Sequence, residues 1–244
     1  MSFVDLRAFL SYLERRGDLI RVQAEVDPDQ DVTIIQHRVL AAGGPALLFE
    51  NVKGSPYRLV INLFGTRERV EAVFGCPPAE LGEGLAAIAD RLMPPSLPSL
   101  WGVRRALRRA LQARLRTVRS GPVLETVAEP PVLSSLPCLT CWPLDGGAFL
   151  NLPLVHTVDP VSGRGNLGIY RLQRFDNTST GMHWQIEKGG GFHFHQACQR
   201  GMPLPVSVIL GGPPALTLAA IATVPERIDE RLLAAAIMGK PLAV

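Results

Sequence analysis

A chain of 244 residues, 47% of them hydrophobic and 19% charged, can bury a sizeable core and is not a disordered polymer. A net charge of +3 is too small to imply nucleic-acid binding by itself, and no apolar run approaches the length of a membrane span. The N-terminus carries Asp5 and no signal-peptide core, so a cytoplasmic location is expected.

Residues 1–121 read as an α/β module of alternating helices and strands. Ser2 or Asp5 can cap a helix whose face is Leu6, Phe9, Leu10 and Leu13, with Gly17 as its stop. Leu19 to Val26 alternates as a strand, and a helix from Asp31 to Leu40 stops at Gly43-Gly44. Short strands follow at Ala46–Phe49 and Tyr57–Leu63. Thr66 opens a helix to Phe74, and Pro77-Pro78 lead into another through Met93.

Pro94 to Pro98 is a break. Beyond it, seven arginines fall between Arg104 and Arg119, and no acid occurs between Asp90 and Glu125. With Leu107, Leu111 and Leu115 at four-residue spacing, this predicts an amphipathic basic helix from about Trp101 to Val118. Its Leu face is expected to pack. The helix lacks the interleaved aromatics of a single-strand reader, so nucleic-acid binding is not expected.

From Pro122 the pattern changes to strands and turns, which predicts a mostly antiparallel, split β-barrel-like domain over 122–244 and an α+β fold overall. Asn151 to Val158 leads into the turn Asp159-Pro-Val-Ser-Gly163. Asn166–Phe175 and Gly181–Glu187 read as a hairpin across Asp176 to Thr180. Phe194–Arg200 reads as a short helix, Pro205–Gly211 as a buried strand, and Asp229 as the cap of a helix to Met238. The four cysteines include Cys138-Leu-Thr-Cys141, the spacing of half a zinc ribbon or a redox pair. Cys76 and Cys198 supply no second pair, so reduced, incidental thiols are expected.

Asn166 and Arg171 interrupt an apolar run, where a buried amide and a buried guanidinium are costly without partners. Such residues point to a ligand site. In a regular strand they would face opposite ways, five positions apart, and Gly168 could permit a bulge that brings both toward one side.

Trp142-Pro-Leu-Asp-Gly-Gly147, Asn166-Leu-Gly-Ile-Tyr-Arg171, Met182-His-Trp184, Val206 to Pro214 and Val224 to Glu230 together resemble the UbiD family, reversible non-oxidative decarboxylases that use prenylated FMN. The resemblance covers essentially the whole chain but only the N-terminal half of a usual member, so the family's C-terminal part is expected to be absent. It implies an aromatic or α,β-unsaturated carboxylic acid as substrate, with the flavin as electron sink. It also implies Mn2+ or Mg2+ held by Asn166 and Glu230, with His193 (less so His195) as a third ligand and K+ as a further ion. Hard oxygen donors suit such metals. The cofactor would lie against Asn166, Ile169, Tyr170, Arg171, Met182, His183, Trp184, Gly189, Gly190 and Glu230. Arg171 would be the catalytic carboxylate anchor.

The family's proton-donating acids lie beyond the last residue here, so the catalytic acid is expected to be missing. Glu187 is the one local stand-in, because Asp176 sits at a hairpin tip. The implied partners are a flavin prenyltransferase as cofactor supplier and either a second copy or a complementary C-terminal subunit. The alternative is a non-catalytic flavin- or phosphate-binding subunit that needs a separate C-terminal half.

Overall fold

Asp5 fixes the start of the first helix, its carboxylate accepting the Ala8 amide N–H at 2.7 Å. In the computed structural model, which describes residues 2–91, 104, 107–185, 189–222 and 229–244, this helix is α1 (Leu6–Arg15). Its Phe9 and Leu13 are fully buried, and the chain leaves it through Gly17 at a φ of 70°. Strand β1 (Leu19–Val22) runs parallel to β2 (Ala46–Phe49) through α2 (Asp31–Ala41), and β3 (Leu59–Ile61) pairs antiparallel with β2. Every residue of the central strand β2 is buried, as its unbroken apolar sequence requires.

Thr66 caps α3 (Arg67–Phe74), and Gly75 closes it in the left-handed region at a φ of 69°. Arg69 of α3 is 1% exposed. Its guanidinium donates to both Asp18 carboxylate oxygens at 2.8 and 2.9 Å and to the carbonyls of Asn62 and Gly44 at 2.5 Å. Four charge-assisted bonds thus knit α3 to the sheet edge and its loops. Helix α4 (Pro78–Arg91) follows.

The basic helix ends sooner than its arginine run suggests. Among the described residues, helix α5 takes in 104 and 107–112. The chain then extends, so that β4 (Leu115–Arg116) pairs parallel with β11 (Leu242–Ala243). Leu115 therefore belongs to a strand, and Leu111 is 73% exposed, so the expected continuous Leu face does not form. Backbone pairing with β11 outweighs helical periodicity here. Arg109 donates to Cys76 Sγ at 3.2 Å. Trp101 and Val103 lie outside the described residues, as does the Pro94 to Pro98 break.

The second half contains β5 (Phe149–Leu150), β6 (Leu154–Val158), β7 (Gly165–Ile169), β8 (Leu172–Arg174), β9 (Thr180–Met182), α6 (Gly189–Gln199), β10 (Val206–Ile209), α7 (Pro214–Ala220) and α8 (Glu230–Met238). The sheet orders are β10-β6-β7 and β5-β8-β9. The α+β class holds, but among the described residues these small sheets close no barrel.

Four further expectations are corrected. The long strand Asn166–Phe175 is two strands, because the chain leaves one sheet after Ile169 and enters another at Leu172. The β6–β7 register runs without a bulge from Leu154↔Ile169 to Val158↔Gly165. The helix expected at Phe194 begins earlier, at Gly189. Strand β10, expected to be buried, is exposed along its whole length. It is an edge strand, and Val206, Val208, Ile209 and Leu210 are between 37% and 48% exposed.

The main core does not divide at residue 121. Phe9, Leu13 and Leu48 share one cluster with Leu154, Leu167, Ala215, Ala235 and Ile237. Among the described residues, no helix is long and apolar enough to cross a membrane.

Arg69→Ala leaves the Asp18 carboxylate and two carbonyls without their donor, so urea unfolding should show a loss of about 3–5 kcal/mol. A loss below about 1 kcal/mol would mean the buried pair is dispensable. The free apolar edge of β10 is a template for strand pairing. The 244-residue chain should therefore self-associate in light scattering, and Val208→Lys should shift it toward monomer.

Candidate functional site

Asp229 occupies the cap position of α8, accepting the Arg231 amide at 2.9 Å and the Arg231 guanidinium at 2.6 Å. The next residue, Glu230, is left free to turn toward β7. There its Oε2 accepts the Leu167 backbone N–H at 2.8 Å. Strand β7 lies at the edge of its sheet, so this carboxylate serves an amide that no strand uses. Burial pushes the Glu230 carboxyl above its ordinary range, with the Leu167 amide pulling the other way.

Asn166 is the residue before that contact. It stands opposite Thr157 on β6, and Thr157 Oγ1 lies 2.9 Å from Nδ1 of His193 on α6. His193 is 7% exposed, whereas His195 is exposed, so the helix turns only the first imidazole inward. Burial lowers the His193 pKa, against an opposing pull from Asp159. The start of α6 also presses on this point. A Cβ on Gly189 would come within 2.1 Å of Asn166 Oδ1, so only glycine permits the approach. Asn166 Nδ2 is buried without a well-formed hydrogen bond.

Glu230 of α8 thus meets β7 one residue from Asn166, and His193 of α6 meets Thr157, the residue that faces Asn166. The Asn166 amide and the Glu230 carboxylate both act on the Tyr170 hydroxyl, whose pKa burial raises. An amide turned by 180° exchanges its O and N with little change of shape. An oxygen at the unpartnered position, a carboxylate and an imidazole form a donor set that fits a hard divalent cation. Among the described residues, no three His, Cys, Asp or Glu side chains cluster as a metal site.

Tyr170 and Trp184 wall the region. Tyr170 Oη accepts the Gly190 amide N–H at 2.9 Å, and its ring lies 5.0 Å from Trp184, which stacks on Phe194 at 5.7 Å. A Cβ on Gly168 would strike the Tyr170 ring at 2.6 Å. Gly168 therefore makes room for the tyrosine to fold back over β7, not for a bulge. Met182 packs partly buried beside Tyr170, and Ile169 joins the main core. The His183 ring is exposed, and its amide N–H donates to the Arg171 carbonyl at 3.2 Å.

Arg171 follows the sheet change and enters a different environment. Its Nη1 and Nη2 donate to the two Asp145 carboxylate oxygens at 3.1 and 2.7 Å, and its Nε donates to Asn151 Oδ1 at 2.8 Å. The guanidinium lies over the Phe149 ring at 3.9 Å. Arg171 holds the Asp145 carboxyl below its usual range. Asp145, Asn151, Phe149 and Thr157 were not singled out from sequence. Asp145 had a signal, an acid in the turn before Gly146-Gly147; the other three had none.

All four cysteines are free thiols. Cys138 is buried, and Cys141 Sγ accepts the Asn151 side-chain N–H at 3.1 Å. Asp176 closes its exposed hairpin tip, with hydrogen bonds from Ser179 and Thr178 lowering its pKa to about 2. Glu187, Lys188 and the turn Val224 to Ile228 lie outside the described residues.

The lowered His193 pKa sets a stability window. Below the unfolded value of about 6.5, unfolded chains bind a proton that the folded site refuses. Stability should therefore fall as pH drops below about 6.5 toward the folded pKa. Thermal melts between about pH 5 and 7.5 should show this slope, and it should flatten in His193→Gln. An unchanged slope would mean that other groups set it.

A model of the 3-octaprenyl-4-hydroxybenzoate carboxy-lyase N-terminal domain matches residues 10–89, and one of the corresponding Rift-related domain matches 116–244. An uncharacterised protein of Chlamydia trachomatis serovar D is 45% identical over 241 residues, which is 98% of this chain and 41% of that protein. A Chlamydia pneumoniae protein named as a subunit of 4-hydroxybenzoate decarboxylase is 44% identical, over 99% of this chain and 41% of its own length. Among solved structures, the UbiD-class enzyme HmfF from Pelotomaculum thermopropionicum, in complex with prFMN, superimposes with a TM-score of 0.80 at 30% identity. The superposition covers 98% of this chain and 51% of that one. Vanillic acid decarboxylase from Sedimentibacter hydroxybenzoicus, in closed form, gives 0.83 at 25% identity, covering 100% and 50%. The chain spans about half the length, or less, of the relatives it matches.

Proposed function

The chain belongs to the UbiD family, and we propose that it forms the cofactor-holding part of a carboxy-lyase that decarboxylates, reversibly and without net oxidation, an aromatic or α,β-unsaturated carboxylic acid. The observation that carries this reading is the contact of Glu230 with the Leu167 amide. It sets a half-buried carboxylate one residue from Asn166, whose Nδ2 is buried without a partner and which faces Thr157, the contact of the inward-facing His193.

In this reading Asn166, Glu230 and His193 hold a manganese or magnesium ion, for which their donors are suited. The N-terminus of α6, at Gly189 and Gly190, offers close backbone approach and a favourable dipole to a cofactor phosphate. Prenylated FMN, when bound, supplies the electron sink for loss of carbon dioxide. Tyr170, Trp184 and Phe194 exclude water from that region, and Arg171 orients the substrate carboxylate.

The proton donor is proposed to come from outside these residues. Glu230 serves Leu167 and the metal, Asp145 is paired to Arg171, and Asp176 lies at an exposed tip with a pKa of about 2. The second reading, a flavin- or phosphate-binding subunit without catalysis of its own, is favoured by one observation. The Arg171 fork is already taken by Asp145.

Co-expression with a flavin prenyltransferase should give a protein with visible absorbance and stoichiometric manganese. Glu230→Gln keeps an acceptor for the Leu167 amide but removes the charge. It should retain the far-UV circular dichroism of the parent and lose bound manganese by elemental analysis, by at least about tenfold. Unchanged manganese content would overturn the ligand assignment. Turnover of 4-hydroxybenzoate by the 244-residue chain alone would overturn the placing of the acid elsewhere.

A further inference from the structure

The Arg171 clamp is built before any ligand arrives. Asp145 is 11% exposed, and its Oδ2 accepts the Cys141 and Trp142 amides at 3.0 and 3.3 Å while also meeting Arg171 at 2.7 Å. Asn151 accepts from Arg171 Nε and donates to Cys141 Sγ, so the same loop grips the guanidinium from two sides. Phe149 covers one face of its plane. A guanidinium has five N–H donors. The Asp145 fork and Asn151 use three. The remaining two, one on each terminal nitrogen, lie on opposite edges of the plane, and the Cys141 side chain engages the guanidinium as well. No second fork is left for a substrate, although the side chain is still 34% exposed.

We propose that Asp145 is a positioning residue: it holds Arg171 in place and offsets its charge, so that a substrate carboxylate meets one outward N–H and not a free cationic fork. This rests on the reading of Arg171 as the carboxylate anchor. The chemistry gives the arrangement a use. When the carbon–carbon bond breaks, its electron pair stays with the substrate carbon and carbon dioxide leaves neutral. A full fork on the carboxylate would stabilise the ground state and lose that interaction in the transition state, which raises the barrier. An arginine tempered by Asp145 orients the group without trapping it.

The test uses the chain loaded with prenylated FMN and complemented in trans by the C-terminal half of a family member, with benzoate as an unreactive probe and 4-hydroxybenzoate as substrate. Asp145→Asn keeps an acceptor for the loop amides and frees the Arg171 charge. It should tighten benzoate binding by about tenfold, the scale of one charge-assisted hydrogen bond. KM for 4-hydroxybenzoate should fall, and kcat should fall with it. A merely structural role predicts the reverse sign, with weaker benzoate binding and a raised KM, and that result would overturn the proposal. So would wild-type values for all three. Asn151→Asp adds a second anion on the guanidinium and should weaken benzoate, which tests the idea should the Asp145 variant fold poorly; unchanged or tighter binding counts against it. Arg171→Ala separates the two levels of the reading. Unchanged benzoate affinity in that variant overturns the anchor assignment itself. Lost affinity there, beside an Asp145→Asn protein that behaves as wild type, overturns only the role of Asp145.

Discussion

A half-buried carboxylate set against the edge of strand β7 is the constraint around which the second half of the molecule is arranged. Glu230 is partly withdrawn from water, and the backbone amides of Leu167 and of Glu230 itself are modest compensation for a partly desolvated charge. Its raised pKa expresses that deficit. The position is held from behind. Ala234, Ala235 and Ile237 of α8 are at most 3% exposed, and the small side chains let the helix approach the core closely. Asp229 and Arg231 are paired to each other, so the Arg231 guanidinium is not the ion-pair partner of Glu230.

Two arginines show how the same side chain serves structure and site. Arg69 and Arg171 each hold an aspartate with two hydrogen bonds. Arg69 adds two backbone carbonyls and is 1% exposed, so it has almost no donor capacity left and no route to solvent. Arg171 adds one amide oxygen, stacks on Phe149 and keeps donor capacity on a partly open side chain. The first is a fastener. The second is held firmly yet incompletely satisfied, which is what a group that must meet a ligand requires.

Local signals carried most of the element reading. Asp5, Thr66 and Asp229 cap the helices expected of them, because a short polar side chain at a helix start answers to its nearest amides alone. What failed depended on distant partners. The arginine run extends as strand at Leu115 because Leu242 pairs with it from the far end of the chain. The apolar run at Val206–Ile209 has the composition of a core strand, yet composition does not say which side of a sheet has a neighbour. The strand change after Ile169 was hidden for the same reason, since both flanking runs are apolar and only their separate partners, β6 and β5, reveal the switch.

That switch also frees Asn166 and Arg171 from the alternation of a single strand. On a continuous strand their odd spacing would send them to opposite faces. Here each is placed by its own sheet, Asn166 by β6 and Arg171 just before β8, and the two-residue step at Tyr170-Arg171 resets the direction of the chain. Tyr170 sits on the step, its ring accommodated by the missing Cβ of Gly168 and its hydroxyl fixed by the Gly190 amide. The tyrosine thus pins the step between the Asn166 end and the Arg171 end of this segment. A side chain larger than hydrogen at residue 168 or 190 would displace it and separate the two ends, even though neither glycine carries a reacting atom.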